Sequence, residues 1–358
     1  MADTIKCPNC AANLVFDAET QKMACDFCGA AFSTEELKSV VDELEKQIAE
    51  EKAQEKESEV VEVETEDGVA TEFTCNACGG KVVTDENTSA TFCPFCGSPA
   101  LVGERLTGKF KPKYVIPFKY SRSQAEKAFL KYCKGGRYTP FNFVSKSNIE
   151  KMTGLYVPFW LFSNKINVSI QGTGIKTRYS GDYEYTDHYN IKRYGKVVLE
   201  NIPFDGETRI DDKLMEALEP FDYTELTDYD YKYLPGFFAD RFDQDPVDLR
   251  KRVDKRVRDY FNDSYKKTVS KYKNFRITDN KTVIHEPEAQ YALLPIWFLQ
   301  YKYLGKQYFF AMNGQTGKTA GTIPISPVKK LMLFSVILAV TAVIVRIILG
   351  FIMGGFVG

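Results

Sequence analysis

Histidine and tryptophan are the scarcest side chains in this 358-residue sequence, with two of each. His188 and His285 leave little material for imidazole-based catalysis. An excess of charge is also missing: 47 basic residues stand against 48 acidic ones, so no global footprint for nucleic acid exists. Hydrophobic residues at 44% and charged residues at 27% exclude wholesale disorder and a polytopic membrane protein. No secretory signal is expected, because MADTIKC runs straight into a cysteine pair. A complete phosphate loop is lacking as well. Gly317-Lys318-Thr319 imitates its end, but Met312 stands where the motif needs its first glycine, so a hairpin turn is expected at Asn313–Gly317.

What is present is cysteine in pairs. Eight of the nine cysteines form four Cys-x2-Cys pairs, and Cys7, Cys10, Cys25 and Cys28 recur 68 residues later as Cys75, Cys78, Cys93 and Cys96. Both copies read Cys-x2-Cys-x14-Cys-x2-Cys. Four thiolates in two such knuckles suit tetrahedral Zn²⁺, and the spacer suits a hairpin that sets the knuckles face to face. Glycine follows three knuckles (Gly29, Gly79, Gly97), whereas Ala11 follows the first. A thioredoxin-type redox motif lacks its strand–helix surroundings, and disulfides are disfavoured in a cytosolic setting. A site filled by four cysteines leaves no open position, so two structural zinc ions are expected and no catalytic one. Residues 1–33 carry two lysines against four acids, and residues 73–100 one lysine against two, so protein partners fit these ribbons better than nucleic acid. Cys133 reads as a plain thiol.

The expected architecture is multidomain: zinc ribbon 1 at 1–33, an acidic helix and linker at 34–71, zinc ribbon 2 at 72–100, a duplicated α+β domain with antiparallel sheets at 101–327, and a transmembrane helix and short tail at 328–358. Ser33 or Thr34 can cap a helix whose apolar stripe is Leu37, Val40, Val41, Leu44 and Ile48. The charge run after Ile48 reads as a solvated tether. In the third stretch, residues 172–204 alternate like a meander, and Asp245-Pro246 opens a helix to about Val269 with Val253, Val257, Phe261 and Tyr265 on one face. Duplication is suggested by Tyr156-Val157-Pro158-Phe159-Trp160 and Leu293-Leu294-Pro295-Ile296-Trp297, which hold both tryptophans as core residues. Asp211-Asp212 reads as a helix cap rather than a hydrolytic pair. Residues 246–273 carry ten Lys and Arg against four Asp, with Asp248–Arg252 and Asp254–Arg258 spaced to pair. That surface is either a solvated face or a contact of Arg250, Lys251, Arg252, Lys255 and Arg256 with anionic lipid or with the acidic linker.

Leu331 to Phe351 is apolar except for Ser335, Thr341, Arg346 and Gly350, long enough for a bilayer core of about 30 Å, with Arg346 able to snorkel. Lys329-Lys330 precede the span, so the positive-inside rule expects a single-pass cell-membrane protein with its N-terminal domains in the cytosol.

The tandem ribbons, the two Pro-x-Trp segments, Glu219-Pro220-Phe221-Asp222-Tyr223 and Asn313-Gly314-Gln315-Thr316-Gly317-Lys318 together resemble a bacterial family of membrane-anchored, transcription-factor-IIB-type zinc-ribbon proteins, sometimes mislabelled as the primosomal helicase. A relative of this kind is similar to the membrane component that recruits phage-shock protein A, beside a flotillin-like partner, in envelope-stress defence. The resemblance implies a non-enzymatic, membrane-anchored adaptor whose ribbons recruit proteins. A membrane-tethered nucleic-acid-binding or transcription-linked factor is the alternative, and an enzyme using the Asp211 region is a third.

Overall fold

The computed structural model describes residues 5–33, 36–37, 62–65, 68–74, 81–85, 88–92, 99–101, 111–136, 138–140, 143 and 152–354. Cys75, Cys78, Cys93 and Cys96 lie outside the described residues, as does most of the acidic stretch.

The chain begins with a three-stranded sheet, β1 (Val15–Asp17), β2 (Lys22–Ala24) and β3 (Ala31–Phe32). Asp17 makes the first turn by accepting from the Glu19 amide and the Thr20 hydroxyl. Ile5, Leu14, Phe16 and Met23 are buried, and not only against each other. The Phe16 amide donates to the Pro235 carbonyl at 2.9 Å, and Gln21 Nε2 donates to the Phe118 carbonyl at 2.5 Å. A Cβ on Gly236 (φ +98°) would lie 2.4 Å from Val15 Cγ1, so glycine is what permits this approach. The first cysteine module is therefore seated on the large domain within one hydrophobic core. Ser33 and Glu36 then exchange capping-box hydrogen bonds, which begins the expected helical turn and buries Leu37.

β4 (Glu62–Thr65), β5 (Gly68–Thr74) and β6 (Lys81–Asp85) form an antiparallel sheet. Strand structure thus starts inside the stretch read as linker. The overlooked signal is Asp67-Gly68 between residues that alternate Val or Ala with Glu and Thr, a hairpin pattern. β7 (Thr88–Phe92) and β8 (Pro99–Leu101) pair with each other, and β7 also joins the main sheet.

That sheet is built by β9 (Tyr114–Val115), helix α1 (Arg122–Gly135), β10 (Thr153–Ser180), β11 (Tyr183–Asp205), helix α2 (Asp212–Ala217), β12 (Thr227–Asp228), β13 (Phe238–Asp240), helix α3 (Arg250–Val269), β14 (Lys273–Asn280), β15 (Val283–Ile284), β16 (Glu288–Tyr303), β17 (Lys306–Asn313) and β18 (Thr319–Gly321). Its central path runs β12-β9-β16-β10-β13-β7-β8. The expected meander over 172–204 is instead part of one long hairpin, β10 and β11, of 28 and 23 residues. Gly181, at φ +59°, supplies its tight turn.

The two Pro-x-Trp segments are neighbours in one sheet. β10 and β16 pair antiparallel with Val157 opposite Leu294, the matching residues of the two segments. The correspondence extends outward. β9 runs parallel to β16 (Val115 opposite Leu293), and β13 runs parallel to β10 (Ala239 opposite Tyr156). The amides of Gly206 and Gly314 donate to the carbonyls of Pro158 and Pro295, both at 2.8 Å. The indole N–H of Trp160 reaches the Gln244 carbonyl at 2.9 Å, and that of Trp297 the Tyr120 carbonyl at 2.8 Å. Each site leads into a helix, of which α1 has a side-chain cap and α3 none. Ser121 and Gln124 form a capping box for α1, which buries Ala125, Phe129 and Cys133. Asp248 accepts from the Asp245 amide ahead of α3, which buries Val253 and Val257 beside Phe162 and Phe204. Burial pushes the Cys133 thiol up to about 11, consistent with an inert core side chain.

The last element is helix α4 (Pro327–Gly354), 28 residues long. It is long and apolar enough to cross a membrane, and its most hydrophobic window is 0% buried.

Candidate metal centre

Cys7, Cys10, Cys25 and Cys28 come together at one end of the first module, their ligand atoms all within 4.8 Å of one another. Both knuckles use the same turn. The Ala11 amide donates to the Cys7 carbonyl and the Gly29 amide to the Cys25 carbonyl, while the Cys7 and Cys25 amides donate onward to Ala12 and Ala30. Each turn ends in a left-handed residue, Ala11 at φ +58° and Gly29 at φ +72°. Alanine accepts at that corner a backbone that glycine adopts freely.

The sulfurs lie 3.7 Å apart for Cys7–Cys28 and 3.5 Å apart for Cys10–Cys25. A tetrahedron with metal–sulfur bonds of about 2.3 Å has edges of about 3.8 Å. All four cysteines are free thiols rather than disulfides. Amides of Cys28 and Phe27 donate to Cys25 and bring its thiol down to about 7. The Ala12 amide acts the same way on Cys10, but burial and the neighbouring sulfurs outweigh it, pushing that thiol up to about 12. Four sulfurs this close cannot all ionise without a cation between them. The group is one that could hold a metal ion.

The other sequence candidates are placed in structural roles. Asp211 accepts from the Lys213 and Leu214 amides as the cap of α2. Asp212 meets Arg252 at 2.9 Å. Arg252 also reaches Asp205 and Glu216, Arg256 binds Glu216 and Glu219, and Arg250 binds Asp254 and Glu286. Three of the five cations considered for lipid therefore face acids of their own chain. The pairing expected along α3 changes as well, because Asp248 accepts from the Asp245 amide, Arg252 turns to Asp212, and Asp254 takes Arg250.

Two buried acids escaped the sequence reading. Asp205 and Glu207 are both 2% exposed, and they occupy the turn that corresponds to Asn313 and Gln315. In the sequence, Asp205-Gly206-Glu207-Thr208 parallels Asn313-Gly314-Gln315-Thr316, an acid standing for each amide. In the second turn every demand is met. Gln315 Oε1 accepts from the Asp222 amide, and its Nε2 donates to the Asp222 carbonyl and to Glu225. In the first turn Glu207 meets Arg209 at 2.5 Å, and Arg209 also binds Asp240 at 2.9 Å. Burial, then the Asp240 carboxylate, pushes Glu207 up from 4.5 to about 8. Burial, then Asp212, pushes Asp205 up from 3.8 to about 7. A raised acid holds in the folded state a proton that the unfolded chain releases, so this stability is present at low pH and is lost as pH rises through about 7 to 8. Urea midpoints should fall from pH 5 to pH 8, and Glu207→Gln, copying Gln315, should make that fall shallower. An unchanged slope in the variant would remove Glu207 as its source.

Neither a family model nor a solved structure matches the chain. A relative in Bacillus subtilis (strain 168), described as the uncharacterized protein YdjG, is 33% identical over 360 residues, covering 99% of this chain and 100% of its own. With that identity spanning both proteins end to end, the chain belongs to the same family as YdjG.

Proposed function

We propose that this protein is a non-enzymatic, membrane-anchored zinc-ribbon adaptor that recruits protein partners at the cytosolic face of the cell membrane. The carrying observation is the pairing of a closed four-thiol cluster with an apolar helix whose membrane-length window has no buried share among the described residues. Zinc suits the first quartet because four soft ligands sit at tetrahedral spacing. The repeat of the same spacing supports a second ion on Cys75, Cys78, Cys93 and Cys96. Both ions are structural: four cysteines leave no place for a bound water or substrate. The matching turns and strands around Val157 and Leu294 support a duplicated α+β domain. Lys329 and Lys330 ahead of the span support the cytosolic orientation.

The docked first ribbon refines how recruitment would work. Phe16 and Gln21 are engaged with the domain, so the ribbon braces the sheet and presents a fixed surface rather than a free arm. The fitting partners are a phage-shock protein A-like or flotillin-like protein, as the family resemblance implies, working in envelope-stress defence.

The test is purification of the detergent-solubilised full chain from its host beside a Cys75→Ser/Cys78→Ser variant, with zinc quantified in both. Two zinc ions per chain and a co-purifying partner of that kind, lost together with the second ion, are expected. Nucleic acid or polymerase in the eluate would overturn the adaptor reading.

A further inference from the structure

Among the described residues, the hairpin of β10 and β11 leaves one long backbone edge unpaired. β10 is flanked on its far side by β14 and β15, but β11 pairs with β10 alone among the described residues. Its outer edge over Tyr183–Val198 offers a row of amides and carbonyls, which is a template for another strand. Natural edges of this length are shortened, bulged or covered. Here Tyr183, Tyr185, Tyr189 and Tyr194 stand exposed along it at 72%, 44%, 37% and 61%.

The charges on this edge are sorted along its length. Acids occupy the half near the hairpin tip (Glu184, Asp187), and bases the other half (Lys192, Arg193, Lys196). A strand with that polarity complements itself when turned end for end. We propose that β11 pairs with β11 of a second copy of this chain, antiparallel, across a two-fold axis at Asn190. In that register Glu184 faces Lys196 and Asp187 faces Arg193, each twice by symmetry. Tyr189 then faces Ile191, and Tyr185 covers Gly195, where a bare backbone gains most from an aromatic neighbour. Moving the axis to Tyr189 or to Ile191 sets Glu184 opposite Tyr194 or Val198 and loses both charge pairs. Among the described residues, neither Glu184 nor Lys196 has an ion partner within its own chain, whereas Asp187 pairs with Arg178 at 3.2 Å and Arg193 donates to Thr268, so the Glu184–Lys196 pair carries the register. Such a contact is isologous and closes after two copies, which caps the exposed edge rather than propagating it.

The experiment is sedimentation equilibrium of the full chain in detergent. Glu184→Lys and Lys196→Glu should each weaken self-association about tenfold or more, because two attractive pairs per dimer become repulsive. The double variant in one chain should restore it, since the two charges have then exchanged places and opposite signs again face each other across the axis. Rescue also separates a lost contact from a misfolded hairpin. A wild-type protein that stays monomeric at micromolar concentration, single variants without effect, or a double variant as weak as the singles would each overturn the pairing.

Discussion

With zinc on Cys7, Cys10, Cys25 and Cys28 as proposed, a chelator is expected to unfold residues 5–33 and to leave the large sheet standing. The module's own interior amounts to Ile5, Leu14, Phe16, Met23 and a few neighbours, carried by strands of two or three residues. A unit of that size does not fold on burial alone and needs a staple. Structural zinc supplies an apparent 10–16 kcal/mol or so in comparable small folds, far more than the two hydrogen bonds to Pro235 and Phe118, which accompany the packing of Phe16 on Tyr233 and Phe237. Without it, the crowded thiols take up protons and the knuckles lose their reason to converge. Hydrogen exchange makes the distinction. The Phe16 and Met23 amides should lose their protection, while those of Val157 and Leu294, in the middle of the central ladder, should keep theirs. Cys7→Ser/Cys10→Ser should reproduce the pattern without a chelator. Unchanged protection at Phe16 would mean that docking to the domain, not metal, holds the module.

Ending the chain at Ser326 is expected to move the protein from the membrane fraction into the soluble one. Pro327–Leu349 has a mean hydropathy of 2.7, and none of that window is buried. On an insertion scale Leu, Ile and Val near the middle contribute about −0.3 to −0.6 kcal/mol each. On the same scale an Arg at the centre costs about 2.5–3.5 kcal/mol, and Arg346 costs less because it lies off the centre and its stem can reach the far interface. The sum favours insertion by several kcal/mol, so the truncation should shift partitioning at least a hundredfold. Ala339→Arg, which puts a charge close to the midplane, should weaken insertion, whereas Arg346→Leu should not. A truncated chain that still sediments with membranes would place the anchor elsewhere.

Legibility in the amino-acid order followed how local each signal was. The cysteine quartet could be read because a knuckle is a turn of a few residues and its ligands are spaced by rule. The apolar span and the Asp211 cap are equally local. The pairing of β10 with β16 was not legible, since more than a hundred residues separate Val157 from Leu294 and the resemblance of two short segments says nothing of their contact. The docking of Phe16 beside Pro235 was hidden for the same reason. Arg252 and Arg256 looked like a solvated face because their acids, Glu216 and Glu219, belong to an earlier element of the chain. Asp205 and Glu207 were passed over because a buried carboxylate runs against composition; only the neutral counterparts Asn313 and Gln315 reveal the pattern.

The exchange of short strands has a consequence for how the domain comes into being. β9 precedes α1 but lies on β16, and β13 precedes α3 but lies on β10. Each half therefore completes the other, and neither closes its own sheet. Two separate copies of such a unit would have met only as an interlocked pair, like two hands each holding the other's wrist. Joined in one chain, the interlock becomes internal: β9 waits for its place until β16 has been made, nearly two hundred residues later. The first half cannot complete its sheet until the second is at hand, so the domain is expected to close late and as one unit, shortly before the apolar helix α4 is synthesised.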